Sequence, residues 1–211
     1  MKILLLGPVR RNANIKNFLT SHGNDVSIST AEITLEQLEK GNVDWVISSG
    51  YAPIIKEPII LKYKNRIINL HNSLLPYGKG IYPNLWSFIE GTPSGVSIHY
   101  IDSDIDTGDI IVQKEVVFST DDTLKTSHDK LMIELENLFC ENWNAIINNS
   151  YELIRQNRSI INIRYHNRVE SERILDLLPD KWDTPIVDIE KMGADMSLSK
   201  QYFEKCDEEC I

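Results

Sequence analysis

The chain of 211 residues carries 22 Lys plus Arg against 31 Asp plus Glu, with 42% hydrophobic and 25% charged residues, the values of an ordinary soluble globular protein. They argue against a disordered tail, a collagen or a membrane protein, and at roughly 100 to 200 residues per domain the length allows one large domain or one domain with a small appendage. The formal net charge of −9 gathers at one end, where residues 165–211 hold twelve acids and six bases; with basic clusters no longer than Arg10-Arg11 and Lys62 to Arg66, no nucleic-acid partner is expected.

The chain opens with a strand, Lys2 to Leu6, whose apolar run is ended by Gly7-Pro8. Four apolar residues are too few for a secretory segment, and no run approaches the about 18 residues of a membrane span. A helical stretch, Asn14 to His22, precedes a second strand, Asp25 to Ser29. Thr34 to Lys40 then has helical spacing, with Thr34 as N-cap and Gln37 at capping-box distance. A buried-looking strand, Val43 to Ser48, ends at Ser49-Gly50. This alternation is that of βαβ units, so the fold class is α/β with a Rossmann-like, mostly parallel sheet.

Arg66 to His71 is apolar at first and polar at its end, as expected of a central strand that delivers side chains to a crevice at its carboxyl end. A short helix around Asn84 to Glu90 follows, then two alternating stretches, Gly95 to Asp102 and Asp109 to Phe118, as an antiparallel pair. An amphipathic helix of about Thr123 to Asn148 closes a catalytic domain of residues 1–150. Residues 151–211 change to a polar texture broken by Pro179, Pro185 and Gly193, with Trp182 and Ile186 to Ile189 as apolar anchors. This is the pattern of a small C-terminal subdomain, in which Tyr151 to Ile163 is a candidate subunit contact. Three cysteines form no disulfide framework, so a reducing cytoplasm is expected. Cys206-x-x-x-Cys210 lacks a second ligand pair, so no metal site is expected.

Asn69 and His71, two apart on a strand, point to one face and pair an amide with an imidazole. That combination suits a developing oxyanion. Downstream, residues 101–109 pack four carboxylates between two strands, without the spacing of an EF-hand. His99, alternating within its strand, reads as a structural residue, as do His22, His128 and His166 in helical or polar context.

Asn69-x-His71-x-Ser73-Leu74-Leu75-Pro76, followed by Ile105-Asp106-Thr107-Gly108-Asp109-Ile110-Ile111, resembles the formyltransferases that use 10-formyltetrahydrofolate. The similarity takes in Ser49 to Ile55 and runs over roughly Met1 to Asn148. The resemblance implies the formyltransferase fold with Asn69, His71 and Asp106 as the catalytic group. Formyl transfer to an amine passes through a tetrahedral intermediate, which calls for an oxyanion donor and a manager of protons. Asn69 is expected to donate to the formyl oxygen, His71 to stabilise the oxyanion or move a proton, and Asp106 to orient His71 and favour its charged form. The pteridine is expected between Tyr51, Ala52, Pro53 and Ile55 on one side and Asp102 and Ser103 on the other, held by backbone groups. Pro53 has no N–H to give.

Three branches of the family differ in acceptor. The purine enzyme has a glycine-rich phosphate loop, where this chain has Gly7-Pro8-Val9-Arg10-Arg11-Asn12. The methionyl-tRNA enzyme has a further C-terminal domain of about a hundred residues, against about sixty residues, acidic on balance, after Ser150. Tyr82-Pro83-Asn84-Leu85-Trp86-Ser87 resembles the sugar branch. The resulting expectation is a UDP- or dTDP-linked amino deoxysugar as acceptor, in the synthesis of surface-polysaccharide precursors. Tyr82 and Trp86 are candidates to stack on base or sugar, with Trp86 equally readable as a core anchor. Asn84 lies in the same segment, and Lys79, Arg10 and Arg11 are candidate diphosphate partners. The alternatives are a methionyl-tRNA or glycinamide ribonucleotide enzyme, or a non-catalytic folate-binding module. A homodimer is expected on frequency alone.

Overall fold

The computed structural model describes residues 1–156 and 165–196. Cys206 and Cys210, and most of the stretch Tyr151 to Ile163, lie outside them.

Six strands form one sheet: β1 (Lys2–Leu6), β2 (Asp25–Ser29), β3 (Trp45–Ser48), β4 (Ile67–His71), β6 (Gly95–Tyr100) and β7 (Ile110–Glu115). Their order is β2-β1-β3-β4-β6-β7. The first four are parallel, and β6 and β7 run antiparallel. A Rossmann-like, mostly parallel sheet was the expectation, and the antiparallel pair is the one read from the alternation of residues 95–118. The short strands β5 (Lys79–Gly80) and β8 (Tyr165–His166) form a second, two-stranded sheet that alternation could not reveal.

Helices cover both faces because the inner strands are apolar on both. On one face α1 (Ala13–Ser21) and α5 (Leu124–Ile147) pack Ile15, Leu19, Leu135, Phe139 and Trp143 against Ile3, Leu5, Ile68, Leu70 and Ile98. On the other, α2 (Leu35–Gly41) and α3 (Glu57–Lys62) bring Leu38 and Ile59 onto Leu4, Leu6, Val46 and Ile67. Each fully buried side chain of this kind is worth about 1.5–3 kcal/mol relative to exposure. The capping box of α2 is formed: Gln37 N donates to Thr34 Oγ1 at 3.2 Å, and Thr34 N to Gln37 Oε1 at 2.9 Å. Helix α5 starts with the same device, made by Thr123 and Thr126.

Residues 165–196 pack against α4 (Pro83–Glu90), not against the large sheet. Ile174 and Leu175 of α6 (Arg168–Leu177), with Ile186 and Ile189, close over Leu85, Trp86, Phe88 and Leu124. Among the described residues no helix is long and apolar enough to cross a membrane.

Candidate active site

The apolar cover of the α2 and α3 face stops at Ile67 and Ile101. The next residues to point that way on β4 are Asn69 and His71, and their partners across the antiparallel ladder are His99 and Ser97. Four polar side chains therefore stand together where the helices leave the sheet uncovered. A cleft of about 1010 Å³ opens there, at the carboxyl end of the parallel strands, where open sheets bind ligands.

Asp106 comes to this point from the loop between β6 and β7 in a left-handed conformation, φ 53, which Asp tolerates better than most residues. Two features fix it. Gly80 N donates to Asp106 Oδ2 at 3.0 Å, and Gln156 Nε2 donates to the carbonyls of Asp106 and Gly108 at 3.0 and 2.8 Å. Asn69 Nδ2 donates to Asp106 Oδ1 at 3.3 Å and lies 3.2 Å from His99 Nε2. His99 Nδ1 donates to the Tyr100 carbonyl at 2.7 Å, which fixes the ring beside Asn69. His71 Nε2 lies 3.1 Å from the Gly78 carbonyl and 3.7 Å from Asp106 Oδ2.

His71 is 7% exposed. Burial pushes its imidazole below the ordinary value, and the attraction of Asp106 only partly offsets this. Asp106 does favour the charged form, as expected, but burial outweighs it and the basic form of the ring prevails at pH 7. Burial alone would raise the Asp106 carboxyl, but the imidazoles of His71 and His99 and the Gly80 N–H reverse that and hold it well below the usual carboxylate range. With Nε2–H directed at Gly78, Nδ1 of His71 is left as the basic nitrogen. The cluster thus offers an amide donor, a neutral base and a fixed anion side by side, with Asn69 bonded to Asp106 and His71 3.7 Å from it.

The other expected residues divide. Tyr51, Ala52, Pro53, Ile55, Asp102, Ser103 and Tyr82 all line the cleft. Asp102 Oδ1 accepts from Thr107 Oγ1 at 2.6 Å and from Asp104 N at 3.3 Å, which shapes that wall. Asn84 and Trp86 do not line it. Asn84 is 1% exposed, with Nδ2 donating to the Leu124 carbonyl and Ser127 Oγ at 3.0 and 3.2 Å. Trp86 is 5% exposed, stacks on His166 at 3.6 Å between centroids and donates from Nε1 to Ser171 Oγ at 2.9 Å. Both substrate-binding expectations are corrected: Asn84 is turned onto the start of α5, and Trp86 is covered by residues 165–196. Lys79 sits on β5 outside the cleft wall, and Arg10 is exposed outside it, whereas Arg11 faces in.

His99 is 1% exposed with both ring nitrogens bonded, the satisfied structural residue expected, and its place in the fold is beside Asn69 at the edge of the cluster. The usable signal was its place beside Ser97 on the polar face of a strand whose other face is Val96, Ile98 and Tyr100. Lys125, His128, Tyr165, Arg168 and Trp182 also line the cleft and were not anticipated there.

Residues 10–141 match the model of the formyl transferase family. The chain belongs to that family. Among solved structures, the formyltransferase PseJ from Anoxybacillus kamchatkensis, in complex with UDP-4,6-dideoxy-4-formamido-L-AltNAc and tetrahydrofolate, is 43% identical with a TM-score of 0.83, covering 91% of this chain and 100% of that one. The methionyl-tRNA formyltransferase of Finegoldia magna is 36% identical over 103 residues, 48% of this chain and 33% of that protein. That of Staphylococcus aureus strain JH1 is 30% identical over 152 residues, 72% of this chain and 47% of that protein. The chain spans between a third and a half of the length of these curated relatives. Among the described residues no group of three or more His, Cys, Asp or Glu is placed to hold a metal ion.

Proposed function

We propose that the protein transfers the formyl group of 10-formyltetrahydrofolate to the amine of a UDP- or dTDP-linked amino deoxysugar. The observation that carries this is the union, in one cleft, of the Asn69, His71 and Asp106 cluster with a wall of aromatic and cationic side chains, Tyr82, Tyr165, Trp182, Arg11 and Arg168. The likeness to PseJ over the whole of that chain supports a sugar acceptor. A cytoplasmic location and a role in surface-polysaccharide precursor synthesis belong to the same reading.

The folate supplies an activated formyl carbon. Tyr51, Ala52, Pro53 and Ile55 would face its pteridine from one side, Asp102 and Ser103 from the other. Ile54 and Ile105, 78% and 45% exposed, flank the slot with apolar surface suited to a flat ring. Asn69 is the oxyanion donor: its two bonds are long, and a developing negative charge is a better acceptor than either present partner. His71 takes the amine proton on Nδ1 and returns it to the folate nitrogen as that nitrogen's bond to the formyl carbon breaks, so that tetrahydrofolate leaves. Ionised Asp106, 3.7 Å from Nε2, stabilises the imidazolium that forms. Opposite the folate slot, Tyr82 and Trp182, 5.3 Å apart at 83°, offer ring faces to the nucleotide.

The test is formyl transfer from 10-formyltetrahydrofolate to a panel of UDP- and dTDP-linked 3-amino and 4-amino deoxysugars, read by mass spectrometry. Charged initiator tRNA and glycinamide ribonucleotide are run alongside. One sugar is expected to react with a kcat/KM well above both other acceptors. Formylation of either of those acceptors with none on any sugar would overturn the reading.

A further inference from the structure

Three cations line the cleft among the described residues, and their surroundings differ. Lys125 Nζ is 2.7 Å from Asp129 and Arg168 Nη1 is 3.3 Å from Glu172, so each charge is matched one turn along its own helix. Arg11 forms no ion pair with a described residue. Its hydrogen bond runs from Nε to Ser49 Oγ at 3.2 Å, which leaves both terminal nitrogens of the guanidinium unmatched. Glu136, the acid whose field reaches it, is itself held by Asn14 Nδ2 at 2.8 Å.

The seat of this cation is built into the backbone. Gly50 adopts φ +71, and a Cβ there would come within 2.8 Å of Arg11 Cδ and 3.1 Å of Cζ, so the side chain lies across the glycine. Asn12 locks the loop beneath by donating from Nδ2 to the carbonyls of Pro8 and Ser49 at 3.0 and 3.2 Å. The carboxyl ends of β1 and β3 thus hold one guanidinium at the cleft wall, where burial disfavours its charge. A buried charge is normally paired, and a fixed fork with free N–H groups fits an anion that offers two oxygens.

Leu6, Ser48 and Asn69 stand in one row across β1, β3 and β4. The Arg11 seat, at Ser49 and Gly50 just past the end of β3, therefore lies beside the strand that carries the catalytic amide, on the wall of the same cleft. We propose that Arg11 grips the diphosphate of the nucleotide-linked amino sugar and thereby sets the sugar amine against His71. This rests on the acceptor proposed above.

Titration calorimetry on the full chain separates the two claims. Wild type, R11Q, R11K and R10Q are titrated with UDP, dTDP, inorganic pyrophosphate and tetrahydrofolate. R11Q should weaken the preferred nucleotide and pyrophosphate by about tenfold or more, the loss of a charge-assisted bond. R11K, which keeps the charge without the fork, should fall between. R10Q should stay within about twofold, and tetrahydrofolate should bind all four proteins alike. In turnover, R11Q should raise KM for the sugar nucleotide by the same factor and also lower kcat, because the amine is no longer set against His71. Unaltered nucleotide affinity in R11Q overturns the assignment and leaves the acceptor reading standing. Weakened tetrahydrofolate with unaltered nucleotide transfers Arg11 to a folate carboxylate and also overturns it. A wild type that binds tetrahydrofolate but neither nucleotide overturns the acceptor reading and this proposal together. Should R11Q fail to fold, R11K carries the test, and nucleotide affinity equal to wild type in R11K overturns the fork.

Discussion

Asn69 and Asp106 are 37 residues apart in the chain and meet at 3.3 Å, amide nitrogen to carboxylate oxygen. The contact joins the carboxyl end of a central parallel strand to a loop in which Gly80 N holds the Asp106 carboxylate and Gln156 holds its backbone carbonyl. His99 reaches the same point because β6 places it opposite Asn69. The cluster is thus assembled by sheet register and two backbone anchors, and its chemistry depends on both.

Asn69→Ala removes the oxyanion donor while leaving the apolar face of β4 intact. Turnover should fall on the order of a hundredfold or more, the loss seen when one oxyanion donor is deleted. Steady-state kinetics with a thermal melt check this, and kcat within tenfold of wild type would contradict the role.

His71 is lowered from 6.5 by burial, so its basic form prevails at neutral pH and is lost only on the acid side of that value. kcat should be flat near pH 7 and fall as the pH drops below about 6.5. Asp106 raises the His71 value, so Asp106→Asn should move the acid limb to lower pH while reducing the plateau. Asn also tolerates the left-handed backbone there. An acid limb that stays put or moves upward in the variant would contradict the assignment.

Gly80→Ala tests the anchor. At φ +97 a Cβ would lie 2.2 Å from the His166 carbonyl oxygen and 2.7 Å from the Tyr165 ring. The strand pair β5 and β8 must separate, and the N–H that holds Asp106 moves with it. A stability loss of about 2 kcal/mol or more is expected from such strain, with kcat reduced about tenfold or more. Chemical denaturation and kinetics on one preparation measure both; unchanged kcat at reduced stability would disconnect the anchor from catalysis.

Trp86→Phe separates packing from binding. The variant loses the Ser171 hydrogen bond, about 1 kcal/mol, and so about 2–4 °C in Tm for a chain of this size. KM for both substrates should stay within about twofold. A tenfold rise in KM without loss of stability would return Trp86 to the substrate.

Much of this was legible in residue order. Continuous apolar runs marked β1 and β3, a Thr34 and Gln37 pair marked the start of α2, and the polar end of β4 marked Asn69 and His71. Asp106 needed the family resemblance, since an acidic turn alone has many causes. That His99 buttresses Asn69 is set by the pairing of β4 with β6, which alternation within one strand does not specify. Arg10 and Arg11 are adjacent and chemically alike; only the seat over Gly50 distinguishes them. Asn84 and Trp86 look like a surface motif until Asn84 is seen bonded to α5 and Trp86 covered by residues 165–196, both remote in sequence.

The most direct test of the central claim is a comparison of wild type and His71→Ala with 10-formyltetrahydrofolate and the amino-sugar panel, counting formylated sugar per enzyme by mass spectrometry. The account predicts multiple turnovers on one nucleotide-linked amino sugar by the wild type and a loss on the order of a hundredfold or more in the folded variant. A folded, folate-binding wild type that formylates no nucleotide-linked amine, or a variant that turns over normally, would contradict it.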